Sequence, residues 1–512
     1  MGSGFITNEN SVNGSVKISS CSYIVFVFVL PEQFASKCLI LSFSFPILIF
    51  MEQDLFSEFP NTTKKDWLRQ ATADLKGKGE AQDLGSRLWD TLPLQPLYAL
   101  EDLVNPVKQR RFHAPSEFPG MPPRLWANVV TVLPSDTNAD LLLALENGAD
   151  GLVLPLQGTE DLQELLEGVL PQYISIYLLP LGNPVSALQL FQAWLETVAV
   201  DPALIQGGIL WSPSDQVFDH QQELGLGVEL LEELLELTED YTLFKAFCIK
   251  TSRYTESGSH PLDALTFGLG ELVEILDRVS LAPSLVFDSL FLETAVGDHH
   301  FGEVARQLAF RQLVREFAWL YQVELKEQEL ILFCQTSHWS QSILDAHTNM
   351  IRQTYEALSA VLGGANVLWV KPLDEENASA RERRVARNVS VLLKEEAYLD
   401  KVQDPAAGSY FLENLVSDLV RESQTALTKL EQEGGWWKSY QSGKLQARVK
   451  TQRAKIQGEV LDKTRVKVGA NAYAAPASLT YNSPFTPFEE ATHELKPTRA
   501  TYLIESVTLD PQ

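Results

Sequence analysis

The runs Val129-Val130-Thr131-Val132-Leu133-Pro134 and Gly151-Leu152-Val153-Leu154-Pro155-Leu156 decide the fold. Both are short, apolar and free of polar alternation, the pattern of strands buried on both faces. Six more runs of this kind follow: Ile174–Leu179, Gly208–Trp211, Phe244–Thr251, Leu285–Leu290, Ile331–Cys334 and Val367–Val370. Each leads into a helix-like stretch. Leu262, Leu265, Leu269, Leu272, Leu276 and Val279 form one apolar stripe, and Val304, Leu308, Leu313, Phe317 and Leu320 another. Eight strand–helix units within about 250 residues predict an α/β fold, a closed (β/α)8 TIM-type barrel whose chemistry sits at the C-terminal strand ends.

The chain is 512 residues long, enough for such a barrel and smaller flanking parts. We divide it into a leader (1–50), an N-terminal arm (51–115), the barrel (116–400) and a C-terminal helical extension (401–512). The formal net charge of −26 repels phosphate backbones and anionic lipid, so neither nucleic acid nor a membrane surface is an expected partner. The cysteines, Cys21, Cys38, Cys248 and Cys334, form no CxxC pair. Cys248 and Cys334 fall in predicted strands, where a buried inert thiol is expected. This usage fits a reducing cytoplasm and gives no zinc site.

In the leader, Ser22–Leu30 and Leu39–Phe50 are apolar runs too short to span a bilayer as helices. No secretory cleavage pattern accompanies them. We read Met51 as the true start and residues 1–50 as upstream mistranslation; a membrane anchor is the competing reading. In the arm, a helix is expected over Lys64–Leu75, ended by Gly77 and Gly79. Leu92–Tyr98 has the look of a segment laid over a neighbouring surface. Pro115, Pro119, Pro122 and Pro123 exclude regular structure before Trp126.

Near residue 380, Arg381, Arg383, Arg384 and Arg387 cluster at the start of the last barrel helix. They either bind phosphates or pair with Glu375, Glu376 and Glu382. Beyond residue 400, helices are expected around Asn414–Glu433 and Lys444–Val460. Between them lies Trp436-Trp437, either a subunit contact or a buried closure of the domain.

Three stretches carry a family resemblance: Gln335-Thr336-Ser337-His338-Trp339-Ser340; Ala357-Leu358-Ser359-Ala360-Val361-Leu362-Gly363-Gly364 with Leu373-Asp374-Glu375 after it; and Asp404-Pro405-Ala406-Ala407-Gly408-Ser409-Tyr410-Phe411-Leu412-Glu413. In that order they resemble the substrate barrel of the adenosylcobalamin-dependent methylmalonyl-CoA mutases. Leu55-Phe56-Ser57-Glu58-Phe59-Pro60 is similar to the amino-terminal arm of that family's small (beta) subunit. The resemblance implies a barrel down whose axis an acyl-CoA threads its pantetheine arm. A cobalamin domain caps the C-terminal face and starts a radical interconversion of methylmalonyl-CoA and succinyl-CoA.

The departures are as informative as the matches. The family's active subunit carries Gly-Tyr-His-x-Gln-Glu-x-Gly after strand five, with the histidine on the thioester carbonyl. Here the stretch reads Thr251-Ser252-Arg253-Tyr254-Thr255-Glu256-Ser257-Gly258, and Arg253 takes the histidine's place. A permanent cation does not replace imidazole. Arg110-Arg111-Phe112-His113-Ala114-Pro115 does not match the arm that supplies the active subunit's substrate contacts. The cobalt-ligating Asp-x-His-x-x-Gly has only near misses, at Asp345-Ala346-His347 and at Asp298-His299-His300, both read as chance. The adjacent histidines have no evident third metal ligand.

The expectation is therefore a non-catalytic small subunit that binds no cofactor itself. Its heterodimer partner would be a large (alpha) subunit that holds adenosylcobalamin. The alternative is the substrate-binding subunit of a split acyl-CoA mutase working with a separate cobalamin-binding chain; a CoA-ester sensor is a third reading. Gln335, Thr336 and Ser337 should face the barrel mouth, either as a degenerate substrate pocket or as hydrogen bonding within the barrel end. In Asp404–Glu413, Pro405 and Gly408 shape a turn that serves folding.

Overall fold

The computed structural model describes residues 62–104, 109–114, 120–474 and 485–509. The readings of the leader, of residues 55–60, and of Pro115 and Pro119 lie outside the described residues. Ahead of the barrel, β1 (Ser86–Leu88) and β2 (Leu92–Leu94) pair antiparallel, so Leu92–Leu94 is an edge of a short hairpin. The arm helix runs Lys64–Asp74. Tyr98 then packs edge-on against Phe411 of this same chain, with ring centroids 5.4 Å apart.

Nine parallel segments follow: β3 (Ala127–Thr131), β4 (Gly151–Leu156), β5 (Ser175–Pro180), β6 (Gln206–Ile209), β7 (Phe244–Lys245), β8 (Phe247–Lys250), β9 (Leu290–Val296), β10 (Leu332–Thr336) and β11 (Val367–Trp369). Their order is β7-β6-β5-β4-β3-β11-β10-β9-β8. β7 and β8 are one strand interrupted at Ala246: β7 pairs with β6 and β8 with β9. The amide of Cys248 donates to Trp211 O at 2.9 Å and closes the cylinder. With β7 and β8 counted as one strand position, this is the expected (β/α)8 TIM-type barrel.

The sixth strand is displaced from its expected place. Leu285–Leu290 lies mostly in the helix Pro283–Ser289, and the strand is β9. Pro283, at the first helical position, has its φ preset for a helix. The strand itself carries Glu293 and Thr294, whose polarity breaks an apolar run. Both are buried and bonded: Ser252 Oγ donates to Glu293 at 2.5 Å, and Arg306 Nη1 to Thr294 Oγ1 at 2.9 Å.

Helix Pro261–Arg278 is buried on almost every side because helices Tyr410–Gln432 and Gly435–Gln441 cover its outer face. A Cβ at Gly270 would meet Leu430 at 2.8 Å and Trp436 at 3.2 Å, so glycine permits that approach. Trp436 is wholly buried, and its indole N–H donates to Tyr254 Oη at 2.8 Å. Of the two readings of the tryptophan doublet, closure of the domain is the one Trp436 follows; Trp437 is half-buried against Tyr440.

The Asp404–Glu413 turn ties the arm down. Arg110 N donates to Asp404 at 3.0 Å, and its guanidinium forks onto Glu413 at 3.1 and 2.6 Å. One arginine of the cluster also has an address. Arg383 pairs bidentately with Asp136 at 2.6 Å on each arm, not with Glu375, Glu376 or Glu382. Glu382 instead accepts from Ser379 N, its own helix cap, at 2.8 Å. At the barrel floor the Arg124 and Arg311 guanidinium carbons lie 5.0 and 5.4 Å from the Phe112 ring. No nitrogen of the Arg124 guanidinium has a hydrogen-bond partner.

Candidate functional site at the barrel mouth

The barrel interior is built from one inward residue of each strand position: Val129, Val153, Tyr177, Leu210, Cys248, Phe291, Phe333 and Val367, with Trp369 above. The large members meet edge to face. Tyr177 and Phe333 have centroids 4.8 Å apart, Tyr177 and Phe291 5.7 Å, and Phe333 and Trp369 5.9 Å. All are buried, so large side chains stand on the axis where the family resemblance implies a pantetheine passage.

Above this aromatic floor lies a cavity of about 660 Å³ at the C-terminal strand ends. Gln335 and Thr336, the last residues of β10, face it; Ser337 does not. Thr336 Oγ1 accepts from Lys371 N at 3.0 Å. Ser337 Oγ donates to Glu256 at 2.7 Å, and the same carboxylate takes His338 N at 2.8 Å. Ser337 N donates to Glu356 at 3.2 Å. The turn after β10 is thus strung on two buried glutamates, and the hydroxyl of Ser337 is committed to that frame. Gln335 is 6% exposed and its Oε1 has no partner.

Arg253 also borders the cavity, but its charge is spent elsewhere. Its guanidinium donates to Asp215 at 2.5 Å and to both Asp219 oxygens at 2.8 Å, and it stacks 4.8 Å from the Phe218 ring. Burial alone would lower it; Asp215 and Asp219 hold it above its ordinary value. Lys250 adds a second contact to Asp215 at 3.1 Å. Gly258, which closes this stretch, sits at φ +85°, and a Cβ there would meet Trp339 at 2.7 Å. That glycine is explained by packing.

Sequence reading named no further lining residue as a site candidate. Lys371, two residues beyond β11, holds its ammonium 4.4 Å from the Trp369 ring centroid, with no carboxylate in ion-pair range among the described residues. Glu293 and Glu375 are pushed up by burial, while Ser252 donates to the first and Thr131 to the second. Burial, with Arg499 and Lys371 nearby, drives His338 down to about 3, so its ring is neutral. The lining holds six acids (Asp219, Glu256, Glu293, Asp374, Glu375, Glu376) against four bases (Lys250, Arg253, Lys371, Lys496), an excess that opposes an anionic acyl-CoA. A lysine following the last strand was the one signal that could have flagged Lys371.

The acids and one histidine of the two near misses to the cobalt motif have partners of their own. Asp345 caps the helix Ala346–Leu362, accepting from Thr348 N at 3.1 Å. Asp298 pairs with Lys467, and His300 Nδ1 lies 2.7 Å from Ser359 Oγ. Among the described residues no group of three or more metal-ligating side chains converges.

Barrel, mouth cavity and the turns around it define a (β/α)8 protein of the acyl-CoA mutase kind. The chain belongs to the methylmalonyl-CoA mutase family, whose model matches residues 130–501. It is 25% identical over 446 residues to the methylmalonyl-CoA mutase small subunit of Porphyromonas gingivalis, covering 82% of this chain and 71% of that one. It is 26% identical over 427 residues to the small subunit from Streptomyces virginiae, covering 76% and 67%. The mitochondrial methylmalonyl-CoA mutase of Bos taurus is 24% identical over 473 residues, covering 80% of this chain and 60% of the bovine protein. No described helix is long and apolar enough to cross a membrane.

Proposed function

We propose that this chain is the non-catalytic small subunit of a heterodimeric, adenosylcobalamin-dependent methylmalonyl-CoA mutase. The partner large subunit binds the cofactor and isomerises methylmalonyl-CoA to succinyl-CoA. The observation that carries the reading is the pairing of Arg253 with Asp215 and Asp219 above a barrel axis lined by Tyr177, Phe291, Phe333 and Trp369. A thioester would meet Arg253 where the family resemblance implies a histidine, and large side chains where its pantetheine would pass. The same two features oppose the split-mutase alternative, in which this barrel would hold the substrate. The relatives named as small subunits support the assignment.

In this reading the chain's work is mechanical. It presents a rigid, preformed surface, and association with it stabilises the partner by mass action. Adenosylcobalamin, when bound in the partner, supplies the radical; no residue of this cavity is given a part in that step. The test is size-exclusion chromatography with light scattering, using this chain and a cobalamin-binding large subunit from the same source. The expected result is a heterodimer; two separate monomer peaks at micromolar concentration would refute the proposal.

A further inference from the structure

The cavity above the aromatic floor is large enough for a small metabolite, and its polar groups are not all used. Gln335 is the clearest case: its amide borders the cavity, is 6% exposed, and leaves Oε1 without a partner. A buried polar group in that state calls for a partner the protein does not supply. The Lys371 ammonium is the second case. It hangs over Trp369 at 4.4 Å, facing the same space, with no carboxylate close enough to pair. Opposite in sign stand Glu293 and Glu375, each anchored by one hydroxyl, from Ser252 and Thr131.

These groups restrict what can enter. A dianion is disfavoured by a lining of six acids against four bases, two of which, Lys250 and Arg253, are already paired. A simple cation meets Lys371, which already occupies the favourable face of the aromatic ring. A molecule with one charge of each sign answers both halves of the lining. We infer that the cavity takes a small zwitterion of the amino-carboxylate class. Its carboxylate sits against Lys371, and its ammonium donates to Gln335 Oε1 and to the carboxylates of Glu293 and Glu375. No bond is made or broken; the site is one of binding. The inference rests on the reading that this barrel holds no acyl-CoA, since both would compete for the same mouth.

Thermal unfolding of the full chain tests it, with 4-aminobutyrate and 6-aminohexanoate as zwitterions, succinate as the dianion, putrescine as the dication and propionyl-CoA as the thioester. The expected result is a saturable rise in Tm with at least one zwitterion and none with succinate or putrescine at equal ionic strength. In Lys371→Met and Gln335→Leu the rise should be lost. The Lys371 charge opposes the upward push of burial on Glu256, Glu293 and Glu375, so each variant is read as the ligand-induced rise above its own unliganded Tm, which separates binding from folding. Equal shifts with succinate or putrescine, or no shift with either zwitterion, would overturn the inference. A shift with propionyl-CoA would instead strike the reading beneath it, so the two failures are distinguishable.

Discussion

Arg253, which stands where the family resemblance implies a histidine, is held by two acids. Its two carboxylate partners come from the turn after β6, Asp215 within the helix Pro213–Phe218 and Asp219 at its C-cap. Truncating one partner of a buried pair typically costs about 3–5 kcal/mol, because the other charges stay buried and unanswered. Arg253→Met should therefore lower the urea midpoint with an unchanged m-value. Arg253→His restores the family's residue type, yet should give no turnover by this chain, because large side chains still stand on the axis below. Arg124 is the opposite case. Its guanidinium is fully buried and unpaired, and burial lowers it to about 10 although Asp404 opposes the shift. Arg124→Met keeps contact with Phe112 and removes the charge, so stability should rise by about 1–3 kcal/mol in the same titration.

Helix Pro261–Arg278 carries a pH dependence inward from the C-terminal helices. Glu271 is buried, accepts from Ser212, and lies 3.4 Å from the Tyr254 hydroxyl that Trp436 also engages. Burial lifts it from 4.5 to about 7. A carboxyl raised on folding binds more protons in the native state. Its contribution is therefore present in full below pH 4.5 and lost as pH climbs through 7, a change of about 3 kcal/mol. Glu271→Gln should flatten that part of the stability–pH curve and leave the protein more stable than wild type at pH 8. An unaltered slope in this variant would contradict the assignment.

The same elements show what the sequence could disclose. Strands such as β4 and β5 were legible because every inward and outward neighbour is apolar. β9 was not, since Glu293 and Thr294 interrupt it and their partners, Ser252 and Arg306, lie on other elements. Arg253 was visible as a departure from a motif, but the acids that neutralise it are distant in sequence. Likewise Tyr177, Phe333 and Trp369 each read as ordinary strand residues and Phe291 fell just past the expected sixth strand; only closure of the cylinder brings them together on its axis.

On the scale of the molecule, these parts describe a barrel that keeps its family's frame and lines its axis with large side chains. The arm is clasped by Asp404 and Glu413, the floor holds the unpaired Arg124 guanidinium, the axis is aromatic, and the mouth is acidic. A charge of −26 also disfavours self-association and favours a less acidic companion. The most direct test is succinyl-CoA formation from methylmalonyl-CoA by the purified chain supplied with adenosylcobalamin. The account predicts no product from this chain alone and turnover once the large subunit is added. Product from the isolated chain would contradict it.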